Sequence, residues 1–172
     1  MEDFDSSVQL KEKLLIAGID EIMTHGLSGL SLRRVAAACG ASCAAPYKHF
    51  RNKEEFIEAI ISYVEKRWEL LAAQIVRTFD NPAERIAELC VANIRFKLAN
   101  PLYGTGKSGS DHTINTQLNN YFQEKYPDDA EGRTFAVNAL VAGTAALIDS
   151  GRLENSPETL ALLRSRVLAE LT

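Results

Sequence analysis

The most constraining feature of this chain is a basic stretch of 23 residues, Ser31 to Lys53, which reads SLRRVAAACGASCAAPYKHFRNK. It holds five Lys and Arg residues and no Asp or Glu, in a chain whose formal net charge is -4. Its order is also informative, because a Ser precedes an apolar helical segment, a Gly follows, and a second Ser precedes another helical segment. The stretch therefore predicts two short helices joined by a tight turn.

Local signals place the ends of these two helices. The first begins after Ser31, whose hydroxyl can accept hydrogen bonds from the N–H groups of the first turn. Its apolar residues fall on one side, and Arg33 and Arg34 are expected to reach outward from the other. Gly40 is expected in the turn, since crossing helices need a residue there that readily adopts positive φ. Ser42 is the predicted N-cap of the second helix, whose N-terminus would favour a bound phosphate.

The stretch with its flanks, GLSGLSLRRVAAACGASCAAPYKHFRNKEEF, resembles the DNA-binding head of the TetR family of bacterial transcriptional regulators. A helix is predicted before it and a long apolar helix after it, and the resemblance covers roughly the first third of the chain. The remainder is similar to that family only in its length and its helical pattern. The resemblance implies a helix-turn-helix domain at residues 1–53 and a helical ligand-binding and dimerisation domain at 54–172.

The resemblance also implies contacts with double-stranded DNA. By this resemblance, Ser31 and Arg33 would touch phosphates and the start of the second helix would face the major groove. Tyr47, His49 and Lys53 would bind further phosphates. Apart from the resemblance, Lys48 or Arg34 could reach a guanine edge. Phosphate contacts of this kind set register rather than sequence. The predicted DNA-binding residues are Ser31, Arg33, Arg34, Ser42, Cys43, Ala44, Ala45, Tyr47, Lys48, His49 and Lys53.

Direct base recognition is predicted to be weak. The first turn of the second helix, Cys43 to Ala45, lacks the Arg, Asn or Gln side chains that make bidentate contacts with bases. Ala methyl groups can contact thymine methyl groups, and DNA deformation can supply the remaining discrimination. Pro46 is expected at the fourth helical position, where it would shorten the helix.

Charge and cysteine content restrict the partners and the compartment. Residues 1–53 carry seven Lys and Arg against six Asp and Glu, and residues 54–172 carry twelve against seventeen. Only the basic stretch is therefore expected to meet DNA, with few phosphate contacts per subunit and a need for two copies. Three cysteines without paired spacing, an acidic N-terminus and no membrane-length apolar segment lead us to expect a cytoplasmic protein without membrane contact.

The rest of the chain shows apolar residues three or four apart and no convincing strand, so an all-α fold is predicted. Asn52 and Glu55 form a capping-box pattern at the start of a long helix. Two terminal helices, the last capped by Ser156, are predicted to pair with those of a second copy, the alternative being a monomeric core. The predicted dimer interface contains Ala139, Ala142, Gly143, Ala146, Leu160, Leu163 and Val167.

A pocket for a small apolar or aromatic effector is predicted in the helical domain, because no buried charge is apparent there. Ordinary core packing is the alternative for each lining residue. The predicted ligand-binding residues are Trp68, Leu71, Ile75, Cys90, Ile94, Tyr103, Leu118, Tyr121 and Phe122.

The region from Leu102 to Tyr126 is the least regular part of the chain, and a mobile loop is predicted there ahead of a weak helix around Ile114, Leu118 and Phe122. A lid over the pocket is the functional alternative for residues 102–113. Its Gly106-Lys107-Ser108 matches the end of a phosphate-binding loop. Pro101 occupies the position of the first Gly of that motif and no strand precedes it, so nucleotide hydrolysis is not predicted.

Three functional hypotheses remain. The leading one is a ligand-responsive homodimeric repressor, released from a palindromic operator by its effector. The second is a protein-interaction coactivator or adaptor on the same fold. The third is a thiol-based redox sensor at Cys43, since a thiol at a helix N-terminus ionises more readily. No metal, cofactor or enzymatic activity is predicted, because His25, His49 and His112 lie in separate segments without ligand spacing.

Overall fold

The chain is described by a computed structural model that covers residues 2–105 and 112–172, with the backbone alone for residues 2–7. These residues contain helices and no strand, so the predicted all-α fold is confirmed. None of their helices combines the length and apolar character needed to cross a bilayer. The helices are α1 (Glu2–Gly29), α2 (Leu32–Ala38), α3 (Ala45–His49), α4 (Lys53–Thr78), α5 (Pro82–Ala99), α6 (His112–Lys125), α7 (Ala130–Asp149) and α8 (Pro157–Leu171), with a 3-10 turn at Pro127–Asp129.

The chain divides into two compact units. Unit 1 comprises Met1–Lys66 and Asn100–Lys107, and unit 2 comprises Arg67–Ala99 and Ser108–Thr172. Because α4 runs without interruption through Lys66 and Arg67, it contributes residues to both units.

Unit 1 depends on a close approach of α1 to α4. Phe56 and Ile60 of α4 are fully buried, and a Cβ atom at Gly18 would lie 2.6 Å from Phe56 Cζ and 2.7 Å from Ile60 Cδ1. Gly18 is therefore the residue that lets the two helices come this close. Further along α1, Gly26 has φ 72° and ψ 166°, so the helix is interrupted three residues before its end at Gly29.

A capping box starts α4, as predicted. The side-chain oxygen of Asn52 accepts a hydrogen bond from the backbone N–H of Glu55 at 2.8 Å. The carboxylate of Glu55 in turn accepts one from the backbone N–H of Arg51 at 2.7 Å. These two bonds satisfy N–H groups that the helix itself leaves unpaired.

The beginning of the predicted mobile loop is part of the core of unit 1. Leu102 and Tyr103 are buried, and Leu102 lines a small cavity with Ile19 of α1 and Val64 of α4. The prediction of a mobile loop is therefore wrong for these two residues, whose apolar side chains pack against the helices. Residues 106–111, which hold Gly106-Lys107-Ser108 and most of the predicted lid, lie outside the described residues.

Unit 2 is a cluster of helices around an apolar core. α5 packs against α8, and α6 packs against α7. On α8, Arg164 forms ion pairs with Glu84 and Glu88 of α5, the latter with 2.6 Å between Nε and Oε1. The fully buried side chains include Ile86, Leu89, Ile94, Leu118, Phe122, Val137 and Leu171.

Candidate nucleic-acid interface

The basic stretch forms α2, a turn and α3. Ser31 caps α2 as predicted, with an extended backbone at φ -125° and an Oγ atom that accepts from the N–H of Arg34 at 3.4 Å. The apolar side of α2 is buried, also as predicted. Gly40 has φ 64°, so the turn uses the positive φ that favours glycine.

The second helix begins later than its sequence predicts. α3 spans only Ala45–His49, its N-cap residue is Ala44, and no side chain caps it. Ser42 is therefore not the N-cap; its carbonyl oxygen accepts from the N–H of Ala45 at 2.9 Å in the preceding turn. The reason is Pro46, whose fixed φ and missing N–H suit the first turn of a helix. Pro46 starts α3 instead of shortening a longer helix.

The turn and α3 present small, aromatic and basic side chains at the surface. Tyr47 is 60% exposed, whereas His49 and Lys53 are half-buried. Ala45 is buried, so the prediction that its methyl group faces the major groove is wrong. The exposed residues of this surface are Ser42, Cys43, Ala44, Tyr47 and Lys48.

The two arginines of α2 differ in their partners. Arg34 donates from Nε to Glu21 Oε1 and from Nη2 to the carbonyl oxygen of Gly29, each at 2.6 Å. Arg33 is exposed and forms no hydrogen bond or ion pair with any residue that the structure describes. The expectation that both side chains reach outward is therefore wrong for Arg34, because α1 supplies a carboxylate that holds it.

Glu21 is a residue of this region that the sequence analysis missed. Its side chain is only 10% exposed, and the hydrogen bond from Arg34 holds the pKa of its carboxyl below the usual 4.5. Its second oxygen lies 3.7 Å from His25 Nε2. Glu21 and Arg34 are 13 residues apart and on different helices, so no spacing rule links them before the fold is known.

Lys11 of α1 is a second residue that the sequence analysis missed. Its Nζ atom lies 5.7 Å from the ring centroid of Phe50, the residue that follows α3. That ring is held edge-on against Phe56, with 4.9 Å between the ring centroids. The cation–π contact places an additional cation beside the end of α3.

The three cysteines are free and differ in exposure. Cys43 is exposed, Cys39 is half-buried and Cys90 is buried. Cys43 lies in the turn two residues ahead of α3, and burial raises the pKa of the Cys39 thiol. Within residues 2–105 and 112–172, no group of three His, Cys, Asp or Glu side chains is placed to hold a metal ion.

Most residues predicted to line a ligand pocket are in the core of unit 2. Leu71 and Ile75 are half-buried, and the hydroxyl of Tyr121 donates to the carbonyl oxygen of Leu171 at 2.6 Å. Tyr103 belongs to unit 1 and the other predicted residues belong to unit 2. The fully or nearly fully buried members are Trp68, Cys90, Ile94, Leu118 and Phe122.

The residues predicted for a dimer interface separate into two groups. Those of α7 are exposed: Ala139, Ala142, Gly143 and Ala146. Those of α8 are buried inside the single chain: Leu160, Leu163 and Val167. The prediction that these three face a second copy is therefore wrong, because the apolar side of α8 packs against α5 and α7 of its own chain.

Comparison with known proteins agrees with this geometry. Residues 14–60 match the model of the bacterial regulatory proteins of the tetR family. A transcriptional regulator from Rhodococcus sp. Rha1 has a similar structure, with a TM-score of 0.72, 21% identity, and coverage of 94% of this chain and 95% of that one. A protein of unknown function from Rhodococcus sp. RHA1 gives a TM-score of 0.70, 24% identity, and coverage of 93% and 94%.

A TetR family transcription regulator from Marinobacter aquaeolei VT8 gives a TM-score of 0.68, with 18% identity and coverage of 99% of this chain and 98% of that one. At 18 to 24% identity, these solved structures show that the fold is shared. The family match concerns the sequence of residues 14–60. The chain thus carries the amino-terminal domain of the tetR family of bacterial regulatory proteins and has the all-α fold of TetR-family transcriptional regulators.

Proposed function

We propose that the chain acts as a homodimeric DNA-binding transcriptional regulator, with residues 1–53 binding DNA and residues 54–172 binding a ligand and a second copy. The observation that carries the proposal is the surface of the basic stretch. Arg33 and Lys48 are exposed there and have no ion-pair partner among the described residues, and the stretch contains no carboxylate. Such a surface attracts the phosphate backbone of DNA and releases its condensed counterions.

The exposed side chains suggest how the contacts divide. Ser31, Arg33 and Lys48 are proposed to contact phosphates. Further phosphate contacts beside them are proposed for Tyr47, His49 and Lys53. The exposed turn of Ser42, Cys43 and Ala44 is proposed to face the major groove. These side chains are small, so we propose that thymine methyl contacts and DNA shape provide much of the sequence preference.

The exposed face of α7 is the proposed contact with a second copy. Its small exposed residues allow two helices to approach closely; they are Ala139, Ala142, Gly143 and Ala146. Phe135 of the same helix is 74% exposed, which is unusual for a side chain that stays in water. A two-fold pair would place two heads one turn of DNA apart, ~34 Å, and would match a palindromic operator.

The proposed regulation is repression that a small, mostly apolar effector relieves. The apolar and aromatic character of the buried side chains in unit 2 supports such a ligand, with Trp68 and Phe96 packed at 5.5 Å between ring centroids. The effector would lower operator affinity by binding one arrangement of the dimer more tightly than the other.

The test is binding of the protein to random and to selected duplex DNA across a range of salt, with the mass of the protein measured in the same buffers. The logarithm of affinity should fall linearly with the logarithm of salt concentration, and the dimer should select a palindrome. Lys48→Ala should weaken binding to every duplex and lower the salt slope by about 0.9 per protomer.

The matched control is Lys66→Ala, which removes an exposed lysine of α4 outside the basic stretch. It should leave affinity and slope unchanged. No DNA binding by the wild-type protein at about 50 mM salt, where phosphate contacts are strong, would contradict the proposal. That result would favour the adaptor whose head contacts another protein.

The exposure of Cys43 supports a second candidate, a thiol-based sensor. Oxidation there would add a polar group directly to the proposed DNA surface. Peroxide treatment should then abolish DNA binding by the wild-type protein and spare Cys43→Ser. Equal loss in both proteins would rule out a role for this thiol.

A further inference from the structure

Adjacent arginines on α2 have different electrostatic environments. Arg33 is exposed and has no partner among the described residues, whereas Arg34 is bound to Glu21 and to the carbonyl oxygen of Gly29. The side chain of Arg34 is 52% exposed, so its hydrogen bonds, and not burial, hold it in place. Its partner Glu21 is only 10% exposed.

Moving Arg34 from Glu21 to a DNA phosphate would be unfavourable. The Glu21 carboxylate would lose the donor that compensates its removal from water, and His25, whose Nε2 lies 3.7 Å from the other oxygen, is the remaining polar neighbour. The carbonyl oxygen of Gly29, at the end of α1, would lose its donor as well. Arg34 is thus held in place by two acceptors on α1.

We propose that Glu21 limits the sequence-independent affinity of the DNA-binding head, because it withholds the Arg34 cation from the phosphate backbone. The inference rests on the proposed DNA-binding function. Affinity for any DNA sequence rises with the number of phosphates that a protein neutralises. A phosphate contact contributes equally to binding of operator and of random DNA, so withholding Arg34 lowers the affinity of the head for both.

The first test compares the same substitution at the two neighbouring arginines. Arg33→Met should weaken binding to random duplex DNA and lower the salt slope by about 0.9 per protomer. Arg34→Met should leave the slope at the wild-type value, since that cation is already neutralised by Glu21. A fall of the slope in Arg34→Met as large as that in Arg33→Met would overturn the inference.

The second test releases Arg34 in place. Glu21→Met removes the acceptor with little change in side-chain length, and it should tighten binding to random DNA and steepen the slope by up to about 0.9 per protomer. A purely structural role for Glu21 would instead weaken binding, and that result would contradict the proposal. Adding Arg34→Met to Glu21→Met should return the slope to the wild-type value.

The double variant also keeps the test valid if a single variant fails to fold. Arg34→Met alone leaves a carboxylate without its partner, whereas the double variant leaves neither charge. A wild-type slope in the folded double variant supports the inference, and a lower slope contradicts it. Failure of the wild-type protein to bind DNA would contradict the proposed function itself, so the two failures are distinguishable.

Discussion

Helices α7 and α8 are neighbours, and both are rich in apolar residues, yet they present them in opposite ways. α7 exposes a face of small residues around Ala142, together with Phe135 at 74% exposure. α8 buries its stripe of large residues, including Leu163 at 4% exposure and Val167 at 0%. The period of the sequence identifies an apolar face on each helix but does not show which face is covered within the chain. The stripe of α8 is covered by the core, whereas the small residues around Ala142 and the large Phe135 remain at the surface.

The largest expected effect is on the buried side of α8. Leu163→Ala should lower the free energy of unfolding by about 2 to 5 kcal/mol, because it removes buried methyl groups and leaves a cavity. Urea denaturation at fixed protein concentration measures it. Ser165→Ala, at an exposed position of the same helix, is the control and should stay within about 0.5 kcal/mol of wild type. A similar loss of unfolding free energy in both variants would contradict the distinction between the buried and exposed sides of α8.

A second prediction concerns the exposed side of α7. Ala142→Arg should convert a dimer into a monomer without changing helix content, because a large charged side chain prevents close approach of two helices. Light scattering measures the mass of the particle, and circular dichroism measures the helix content. Ala73→Arg, which adds the same side chain to the exposed surface of α4, should leave the mass unchanged. A mass that stays dimeric in Ala142→Arg would show that another surface pairs the subunits.

The smallest expected effect concerns how the two helices begin. Ser156 caps α8, its Oγ accepting from the N–H of Thr159 at 3.2 Å, whereas the N-cap residue of α7, Asp129, makes no side-chain cap. Ser156→Ala should therefore cost about 1 kcal/mol in thermal or urea unfolding. Asp129→Ala should cost less, since it loses only a partly exposed ion pair with Arg133. A larger loss of stability in Asp129→Ala than in Ser156→Ala would contradict this account of how the two helices begin.

The features that the sequence predicts correctly depend on residues close together in the chain. Ser31 as a cap, the positive φ of Gly40 and the capping box of Asn52 and Glu55 involve partners within four residues of one another or a single backbone angle. The all-α fold follows from helical spacing in the same way. Short-range chemistry is visible in a sequence because the chain itself holds the partners together.

The features that it misses depend on distant neighbours. Glu21 reaches Arg34 from another helix, and Leu102 is buried by side chains of α1 and α4, although its local sequence is typical of a loop. Ala45 has the same side chain as the exposed Ala44, and only the packing of unit 1 separates them. Which contacts such residues make is decided by the tertiary structure, and no local pattern carries that information.

The surface ahead of α3 limits how much sequence information the proposed DNA-binding head can read. Each hydrogen-bonding side chain that distinguishes one base pair from the others narrows the set of sequences that a regulator accepts. Ser42, Cys43 and Ala44 provide few such choices, and a bacterial genome offers on the order of 10⁶ competing sites. A regulator built on this surface must collect its information over a long operator or act at many sites. The length of the selected operator would therefore indicate how broad its regulon is.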